Sequence, residues 1–165
     1  MQKNIIRIDS ACEKTLSDLT AECYVLNVGV AEDFCRKFID KATQNDKIVL
    51  FYGENAVTYA KKYNADGVII DIGAEGLKDK MPKLRQELGL DKFVGLFTRN
   101  RRHEAMLVSE AEPDFIVFKV WKDGFENIKE LTDWYVDFFL IQSAAWIVDN
   151  DVDCSLLNTD FIIKE

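Results

Sequence analysis

Eight short runs of β-branched and aromatic residues alternate with polar, helix-like intervals along the chain, and each run predicts a β-strand. The runs occupy residues 4–9, 23–29, 47–53, 66–72, 92–98, 114–120, 137–143 and 160–165. Their first residues are 19 to 26 positions apart, which leaves room for one helix and two tight loops in each interval. Several runs are almost continuously apolar, as parallel strands covered on both faces are. The pattern therefore predicts a series of strand–helix units.

The intervals between the runs carry the apolar period of amphipathic helices. Residues 31–43 place five apolar side chains on one helical face, namely Phe34, Cys35, Phe38, Ile39 and Ala42. In residues 10–22, Ser10 and Glu13 have the spacing of a capping box. Pro82 is expected in the first turn of its helix, where its missing N–H costs little. We therefore expect helices with one buried face.

Eight strand–helix units within 165 residues predict one domain, residues 1–165, folded as a compact (β/α)8 barrel of TIM type. The alternative is an open, doubly wound parallel sheet. No helical interval follows the last run, so the barrel is predicted to lack its final helix. Because a parallel sheet needs cover on both faces, we expect an uncovered apolar patch and a homodimer whose interface includes the C-terminal strand or the helices that flank the gap. The patch would consist of Ile5, Ile6, Phe161, Ile162 and Ile163.

Composition and charge narrow the function classes. The chain is 48% hydrophobic and 30% charged, with a formal net charge of −8 and a pI near 4.8. Such a surface repels nucleic acid and anionic lipid, so neither nucleic acid nor a membrane is an expected partner. No apolar run approaches the roughly 18 residues of a membrane span, and the four cysteines form no C-x-x-C pair. We expect a cytoplasmic protein with no cofactor and no metal site.

Four segments in the middle of the chain follow one another as they do in a known family. They are YAKKYNADGVIIDIG at 59–73, LRQELGLDKFVGLFT at 84–98, HEA at 103–105 and PDFIVFKV at 113–120. In order and spacing they resemble the thiamine phosphate synthase superfamily, which includes thiazole tautomerase-like relatives. The resemblance implies a phosphate-handling barrel whose chemistry lies at the C-terminal ends of its strands.

The chain departs from that family at positions that the resemblance would assign to the substrate. LNVGV at 26–30 stands where the family has a Gln-x-Arg-x-Lys run for pyrophosphate. Glu54 and Asn55 replace an Asn-Asp pair, and Ile69 replaces a histidine. No phosphate-binding loop follows the eighth run. We therefore expect a degenerate, catalytically impaired member that binds a small phosphorylated or anionic metabolite. If it is an enzyme, it is a transferase, lyase or isomerase.

The candidate functional residues are polar side chains near the ends of the predicted strands. Asp71 is a candidate catalytic base or cation ligand, and it could equally cap the next turn. The candidate ligand-binding residues are Asn27, Glu54, Asn55, Thr98, Arg99, Arg101, Arg102 and Gln142. The arginines after the fifth run, where a helix begins, suit a phosphate or carboxylate. The alternative is a helix start that simply faces solvent.

Lys119 supplies an alternative chemistry. Class I aldolases on this fold carry a Schiff-base lysine on the sixth strand, and Lys119 lies between Phe118 and Val120 in the sixth run. Desolvation there would free the amine as a nucleophile, which predicts a Schiff-base lyase. Otherwise the lysine points outward between helices or pairs with Asp71. A third functional class is a non-catalytic interaction or structural protein that docks through the face left open by the missing helix.

Overall fold

The computed structural model describes residues 2–165, and its eight parallel strands close into a barrel in chain order. The strands are β1 (Lys3–Ile8), β2 (Cys23–Asn27), β3 (Ile48–Tyr52), β4 (Gly67–Ile70), β5 (Phe93–Thr98), β6 (Phe115–Val120), β7 (Gln142–Ile147) and β8 (Phe161–Lys164). Strand β8 pairs with β1 in parallel register, with Ile163 opposite Ile5. The predicted (β/α)8 barrel is confirmed, and the open doubly wound sheet is wrong.

In the part of the chain that the structure describes, six α-helices alternate with the strands. They are α1 (Glu13–Ser17), α2 (Glu32–Gln44), α3 (Ala56–Tyr63), α4 (Leu77–Leu88), α5 (Arg102–Glu110) and α6 (Phe125–Phe138). Only a 3₁₀ turn, Cys154–Leu156, lies between β7 and β8. Within residues 2–165 no helix follows β8, as the sequence predicts. None of the helices in this range is both long and apolar enough to cross a membrane.

The helices confirm one predicted apolar face and correct two details of their ends. All five residues predicted for the inner face of α2 are buried. Helix α1 begins at Glu13 with Cys12 before it and no side chain capping it, so the capping box at Ser10 is wrong. Pro82 lies inside α4 rather than in its first turn. The reason is that the helix already begins at Leu77, whose side chain is buried against the barrel.

The seventh strand lies later in the chain than the pattern of residues 137–143 predicts. Helix α6 continues to Phe138, because Leu131 and Tyr135 extend its buried face. Strand β7 begins only at Gln142 and runs through Ala144 and Ala145. Alanine has a low β-propensity, so the pattern of β-branched residues does not reveal this strand.

The barrel interior is filled by side chains at alternate strand positions. The inward-facing cluster includes Ile5, Val25, Leu50, Ile69, Val117, Ala144 and Ile163. Because strand side chains alternate, the next inward position on each strand lies one layer nearer the C-terminal mouth. These upper positions are Arg7, Asn27, Tyr52, Asp71, Lys119 and Trp146. An apolar middle layer therefore supports a mainly polar upper layer.

The face between β8 and β1 is not the predicted apolar patch. Ile5 and Ile163 point into the barrel and are 4% and 0% exposed. Ile162 points outward, but it is buried in a cluster beside α6. Ile6 and Phe161 are half-buried. Strand alternation puts every second apolar residue inside the barrel. Most of the apolar surface expected for a homodimer interface on these two strands is therefore buried within the chain itself.

Three aspartates, each just before an even-numbered strand, form hydrogen bonds to the preceding strand. Each carboxylate accepts a hydrogen bond from a backbone N–H of the preceding strand: Asp66 from Val49 at 2.8 Å, Asp114 from Val94 at 2.7 Å and Asp160 from Ser143 at 2.9 Å. The backbone N–H of each aspartate donates back to the carbonyl of the same partner residue. These reciprocal pairs fix the register at the N-terminal end of the barrel.

Candidate functional site

Two adjoining clefts open at the C-terminal mouth of the barrel. Cleft A, of about 880 Å³, lies over the ends of β4, β5 and β6. Its polar lining consists of Asp71, Glu75, Lys80, Thr98, Arg99, Asn100, Glu104 and Lys119. Cleft B, of about 610 Å³, lies over the ends of β1, β3 and β7. Its polar lining consists of Arg7, Asp9, Tyr52, Glu54, Asp71 and Lys119. Asp71, Phe97 and Lys119 line both clefts.

Three aromatic rings form an apolar floor beneath the mouth. The ring of Trp146 contacts Tyr52 and Phe97 edge to face, with centroids 4.6 Å and 5.1 Å apart. All three rings occupy inward positions near strand ends, and Trp146 is buried. Edge-to-face contacts hold such rings in fixed orientations. The floor is therefore a firm surface against which a ligand can lie.

Arg7 is an inward-facing cation whose charge is already compensated. Its guanidinium lies 4.9 Å from the centre of the Trp146 ring. Its Nε donates to Asp9 Oδ2 at 2.9 Å, and its Nη1 donates to the carbonyl of Ile147 at 3.2 Å. Its Nη2 lies 3.5 Å from a carboxylate oxygen of Glu165. Arg7 therefore links β1 to β7 and to the end of β8, and its guanidinium is not free to bind an anion.

A short chain of hydrogen bonds connects β2 to the wall of cleft B. The Tyr52 hydroxyl donates to Asp9 Oδ1 and accepts a hydrogen bond from Asn27 Nδ2 at 2.9 Å. Asn27 Oδ1 accepts from the backbone N–H of Gly29 at 2.7 Å. Both polar ends of Asn27 are thus occupied, and Asn27 lines neither cleft. The structure places it behind Tyr52, where it orients the phenol.

Lys119 points into the mouth at the junction of the two clefts. Its Nζ lies 5.0 Å from the centre of the Phe97 ring, and its side chain is exposed. Among residues 2–165 its ammonium group makes no hydrogen bond and no ion pair, with Asp71 or any other carboxylate. We expected the Lys119 amine to be desolvated, to point outward between helices or to pair with Asp71, and all three expectations are wrong. The physical reason is that β6 ends here, so the side chain extends into the open mouth.

Asp71 caps its own turn and also lies at the mouth of the barrel. Its Oδ1 accepts a hydrogen bond from the backbone N–H of Gly73 at 3.2 Å, which caps the turn after β4. The same exposed side chain lines both clefts. Its position therefore allows contact with a ligand while its own loop holds it in place.

The predicted fan of arginines is divided between two places, so it does not form one site. Thr98 and Arg99 line cleft A, and Arg99 Nε lies 3.9 Å from a carboxylate oxygen of Glu104. Arg101 and Arg102 line a separate pocket between α5 and α6. The Arg102 guanidinium lies 5.3 Å from the Trp134 ring. The start of α5 turns these two side chains away from the mouth.

The other predicted ligand-binding residues also separate. Glu54 lines cleft B. Asn55 lines neither cleft and immediately precedes α3, with a left-handed φ of 64°. Gln142 stands at the first position of β7, at the opposite end of the barrel from the mouth, so its predicted place at a strand's C-terminal end is wrong. The misplaced seventh strand is the cause.

The residues of the mouth that sequence reasoning missed include Arg7, Lys80, Phe97, Asn100 and Trp146. Arg7 and Trp146 each lie two positions after an inward-facing apolar residue, so counting by two along β1 and β7 could have found them. Asn100 donates from Nδ2 to the Lys119 carbonyl at 3.0 Å and braces the strand beneath the lysine. No local pattern marks that contact.

The fold and its mouth define a (β/α)8 barrel protein with a two-part polar cleft at the C-terminal ends of its strands. No model of a known protein family matches the chain. A thiamine-phosphate synthase from Erythrobacter litoralis (strain HTCC2594) is 30% identical over 106 residues, which cover 59% of this chain and 47% of that protein. The chain thus spans about half the length of that relative. This similarity supports a relationship within the TIM-barrel superfamily.

Solved structures with low sequence identity share the fold. Tryptophan synthase from M. tuberculosis has a TM-score of 0.70 at 9% identity, covering 99% of this chain and 82% of that one. Orotidine 5'-monophosphate decarboxylase from Methanocaldococcus jannaschii has a TM-score of 0.68 at 15% identity, with 100% and 89% covered. The YdjI aldolase from Escherichia coli K12 has a TM-score of 0.69 at 12% identity, with 99% and 74% covered. These neighbours are enzymes, and the likeness establishes the barrel architecture alone.

Proposed function

We propose that this chain is a thiamine phosphate synthase-like barrel protein that is impaired in the parental reaction and binds a small phosphorylated or anionic metabolite at its mouth. The observation that carries the proposal is Lys119. Its ammonium group stands at the junction of two clefts without a charged partner among residues 2–165. A concave site with one uncompensated cation favours a small anion.

Neighbouring groups of cleft A support anion binding. Lys80 and Arg99 line the same cleft. Among the described residues, the Lys80 ammonium contacts only the carbonyl of Ile72, at 3.3 Å, and the Arg99 guanidinium has only its 3.9 Å contact with Glu104. Both side chains can therefore reorient toward a ligand at little cost. Thr98 adds a hydroxyl that donates to the carbonyl of Arg99 at 3.1 Å.

The proposed impairment follows from the groups at the family's substrate positions. Ile69, where the resemblance implies a histidine, is fully buried inside the barrel. An isoleucine can neither transfer a proton nor stabilise charge, and its burial leaves no room for a substitute group at that point. Asn27, within the stretch that replaces the pyrophosphate run, is occupied by Tyr52 and Gly29. We propose that these changes remove the parental chemistry while the cleft remains.

A second candidate function is a Schiff-base lyase that uses Lys119. The inward direction of the lysine favours it, because a carbonyl substrate in either cleft could reach the amine. The exposure of the side chain does not favour it, because a Schiff-base lysine is normally activated in a desolvated pocket, and this one is open to water. Borohydride reduction in the presence of a carbonyl metabolite would trap a Schiff base, and a mass increase lost in Lys119→Ala would support the lyase.

The interaction alternative and the homodimer remain proposals. Exposed apolar side chains that a partner could cover lie near the end of α6, in the loop after it and in the 3₁₀ turn before β8, and they include Val136, Phe138, Leu140 and Leu156. A dimer that covers them would use α6 and the segment between β7 and β8. The four cysteines are unpaired, which supports a reducing, cytoplasmic location, and the acidic charge argues against a nucleic-acid partner.

Titration of ¹⁵N-labelled protein with inorganic phosphate, followed by NMR, tests the proposed function. We expect saturable shifts of backbone amides in the loops after β4, β5 and β6. Lys119→Ala should weaken phosphate binding by about tenfold, the loss of one hydrogen bond to a charged group. Lys122→Ala is the matched control. It removes the same charge from the loop after β6, and the Lys122 side chain lines neither cleft. Equal affinities of the two variants would contradict the proposal.

A further inference from the structure

The two clefts present different uncompensated charges to a ligand. In cleft A the cations are Lys80, Arg99 and Lys119. In cleft B the second cation besides Lys119 is Arg7, which is already paired with Asp9 and Glu165. The remaining charged groups of cleft B are carboxylates. The available positive charge of the mouth therefore lies mainly on the β4–β6 side.

Glu54 is the free acceptor of cleft B. Its exposed side chain makes no ion pair and no hydrogen bond within residues 2–165, although it lines the cleft. The Asp9 carboxylate, by contrast, has one oxygen bonded to Tyr52 and the other to Arg7. An ionised carboxylate can only accept hydrogen bonds. Cleft B thus suits a part of a ligand that donates hydrogen bonds and carries no negative charge.

The dimensions and the floor fit one ligand that spans both clefts. The clefts measure about 880 and 610 Å³, within the roughly 300–1,000 Å³ of typical ligand pockets. They meet over Phe97 and Lys119, beside the buried ring of Trp146. A free phosphate ion would fill only a small part of this space. A longer molecule could place an anionic end in cleft A and lay its carbon skeleton across the aromatic floor.

We infer that the ligand is a small phosphorylated polyol, with a single phosphate over Lys119 in cleft A and hydroxyl groups facing Glu54 in cleft B. This inference rests on the proposed function and specifies its ligand class. Hydroxyl groups supply the donors that Glu54 lacks. A second phosphate in cleft B would meet the carboxylate of Glu54, which makes no ion pair among the described residues, and be repelled. The site therefore selects monophosphates over bisphosphates of the same polyol.

Besides Asp71, which lines both clefts, cleft A holds two carboxylates, and replacing one of them tests the charge assignment. Glu104 lies near Arg99, and Glu75 lines the cleft without an ion pair among the described residues. Both compete with an incoming phosphate. Glu75→Gln should therefore strengthen the binding of any phosphate, whereas Glu54→Gln should weaken only the binding of the polyol part.

Isothermal titration calorimetry with three probes tests the inference: inorganic phosphate, ribose 5-phosphate and ribose 1,5-bisphosphate. We expect ribose 5-phosphate to bind about tenfold more tightly than phosphate, as one further hydrogen bond to a charged group allows. Glu54→Gln should remove this advantage and leave phosphate binding unchanged. Glu22→Gln, an exposed glutamate at the opposite end of the barrel, is the control. The bisphosphate should bind more weakly than ribose 5-phosphate.

The outcomes separate this inference from the proposed function. If phosphate binds through Lys119 but ribose 5-phosphate binds no more tightly, or Glu54→Gln changes nothing, the polyol assignment is overturned and the anion site stands. Preference for the bisphosphate would likewise overturn the charge assignment of cleft B. If neither phosphate nor ribose 5-phosphate binds, both proposals fail together. Thermal unfolding of each variant verifies that it is folded.

Discussion

Asp114→Ala should destabilise the barrel by about 2 to 4 kcal/mol, the sum of two contacts. The carboxylate accepts the backbone N–H of Val94 at 2.7 Å, and a hydrogen bond to a charged group contributes about 1.5–3 kcal/mol. It also pairs with Arg85 at 2.9 Å, with side chains 22% and 36% exposed. A pair so accessible to water contributes only about 0.2–1 kcal/mol. Without the aspartate, the Val94 N–H at the start of β5 loses its side-chain acceptor.

Urea unfolding measured by circular dichroism checks this value. With a slope of about 2 kcal/mol per molar urea, the midpoint should fall by about 1 M or more. Asp114→Asn keeps an acceptor oxygen, so its loss should be smaller. The matched control is Asp123→Ala, whose exposed carboxylate makes no ion pair and no hydrogen bond within residues 2–165; its effect should stay within about 0.5 kcal/mol. Equal midpoints for Asp114→Ala and Asp123→Ala would refute the role assigned to the aspartate.

Three further predictions concern activity, pH and assembly. The protein should form no thiamine phosphate from a pyrimidine pyrophosphate and a thiazole phosphate, since each lost charge-stabilising donor costs about 3–4 kcal/mol; product above a no-protein control would contradict this. Burial raises the pKa of Cys23 from 9.0 to about 12, and burial likewise raises that of Tyr135 from 10.0 to about 12. Below its unfolded pKa each group contributes its full stabilisation, and this contribution is lost as pH rises toward 12. The urea midpoint should therefore fall between pH 9 and 11. The fall should be less steep in Cys23→Ala, which lacks one of the two groups. Sedimentation equilibrium at micromolar concentration should show twice the 19.0 kDa mass of the chain, and a clean monomer would exclude the homodimer.

The strand rhythm predicts the barrel because six of the eight strands lie wholly within runs of β-branched and aromatic residues, and β1 begins one residue before its run. Strand β7 departs from this rule. Its buried Ala144 and Ala145 are small, so the run that looks like a strand is instead the end of α6. These alanines adopt a strand conformation because they are buried in the closed barrel, not because alanine has a high intrinsic β-propensity. A pattern based on propensity cannot detect such a tertiary effect.

The site was less predictable than the fold because its geometry depends on where each strand ends. Lys119 and Glu54 reach the mouth because β6 and β3 end close to them. Arg101 and Arg102 are only a few residues beyond β5, yet the first turn of α5 directs them toward α6. A shift of one residue in an element boundary therefore decides whether a charge faces the ligand or the solvent. Sequence patterns do not fix boundaries that finely.

Register links the apolar core to the chemistry of the mouth. Val117 and Lys119 lie on the same face of β6, as Ile5 and Arg7 do on β1, so the residue that packs the barrel also directs the charged residue above it. A slip of one residue in β6 would turn Lys119 outward and force Phe118 into the barrel. Gly95 opposes such a slip, because a Cβ there would lie 2.4 Å from the Phe115 ring, so the two residues fit only as paired. The cation on which the proposed function rests is therefore held in place by packing two layers below it.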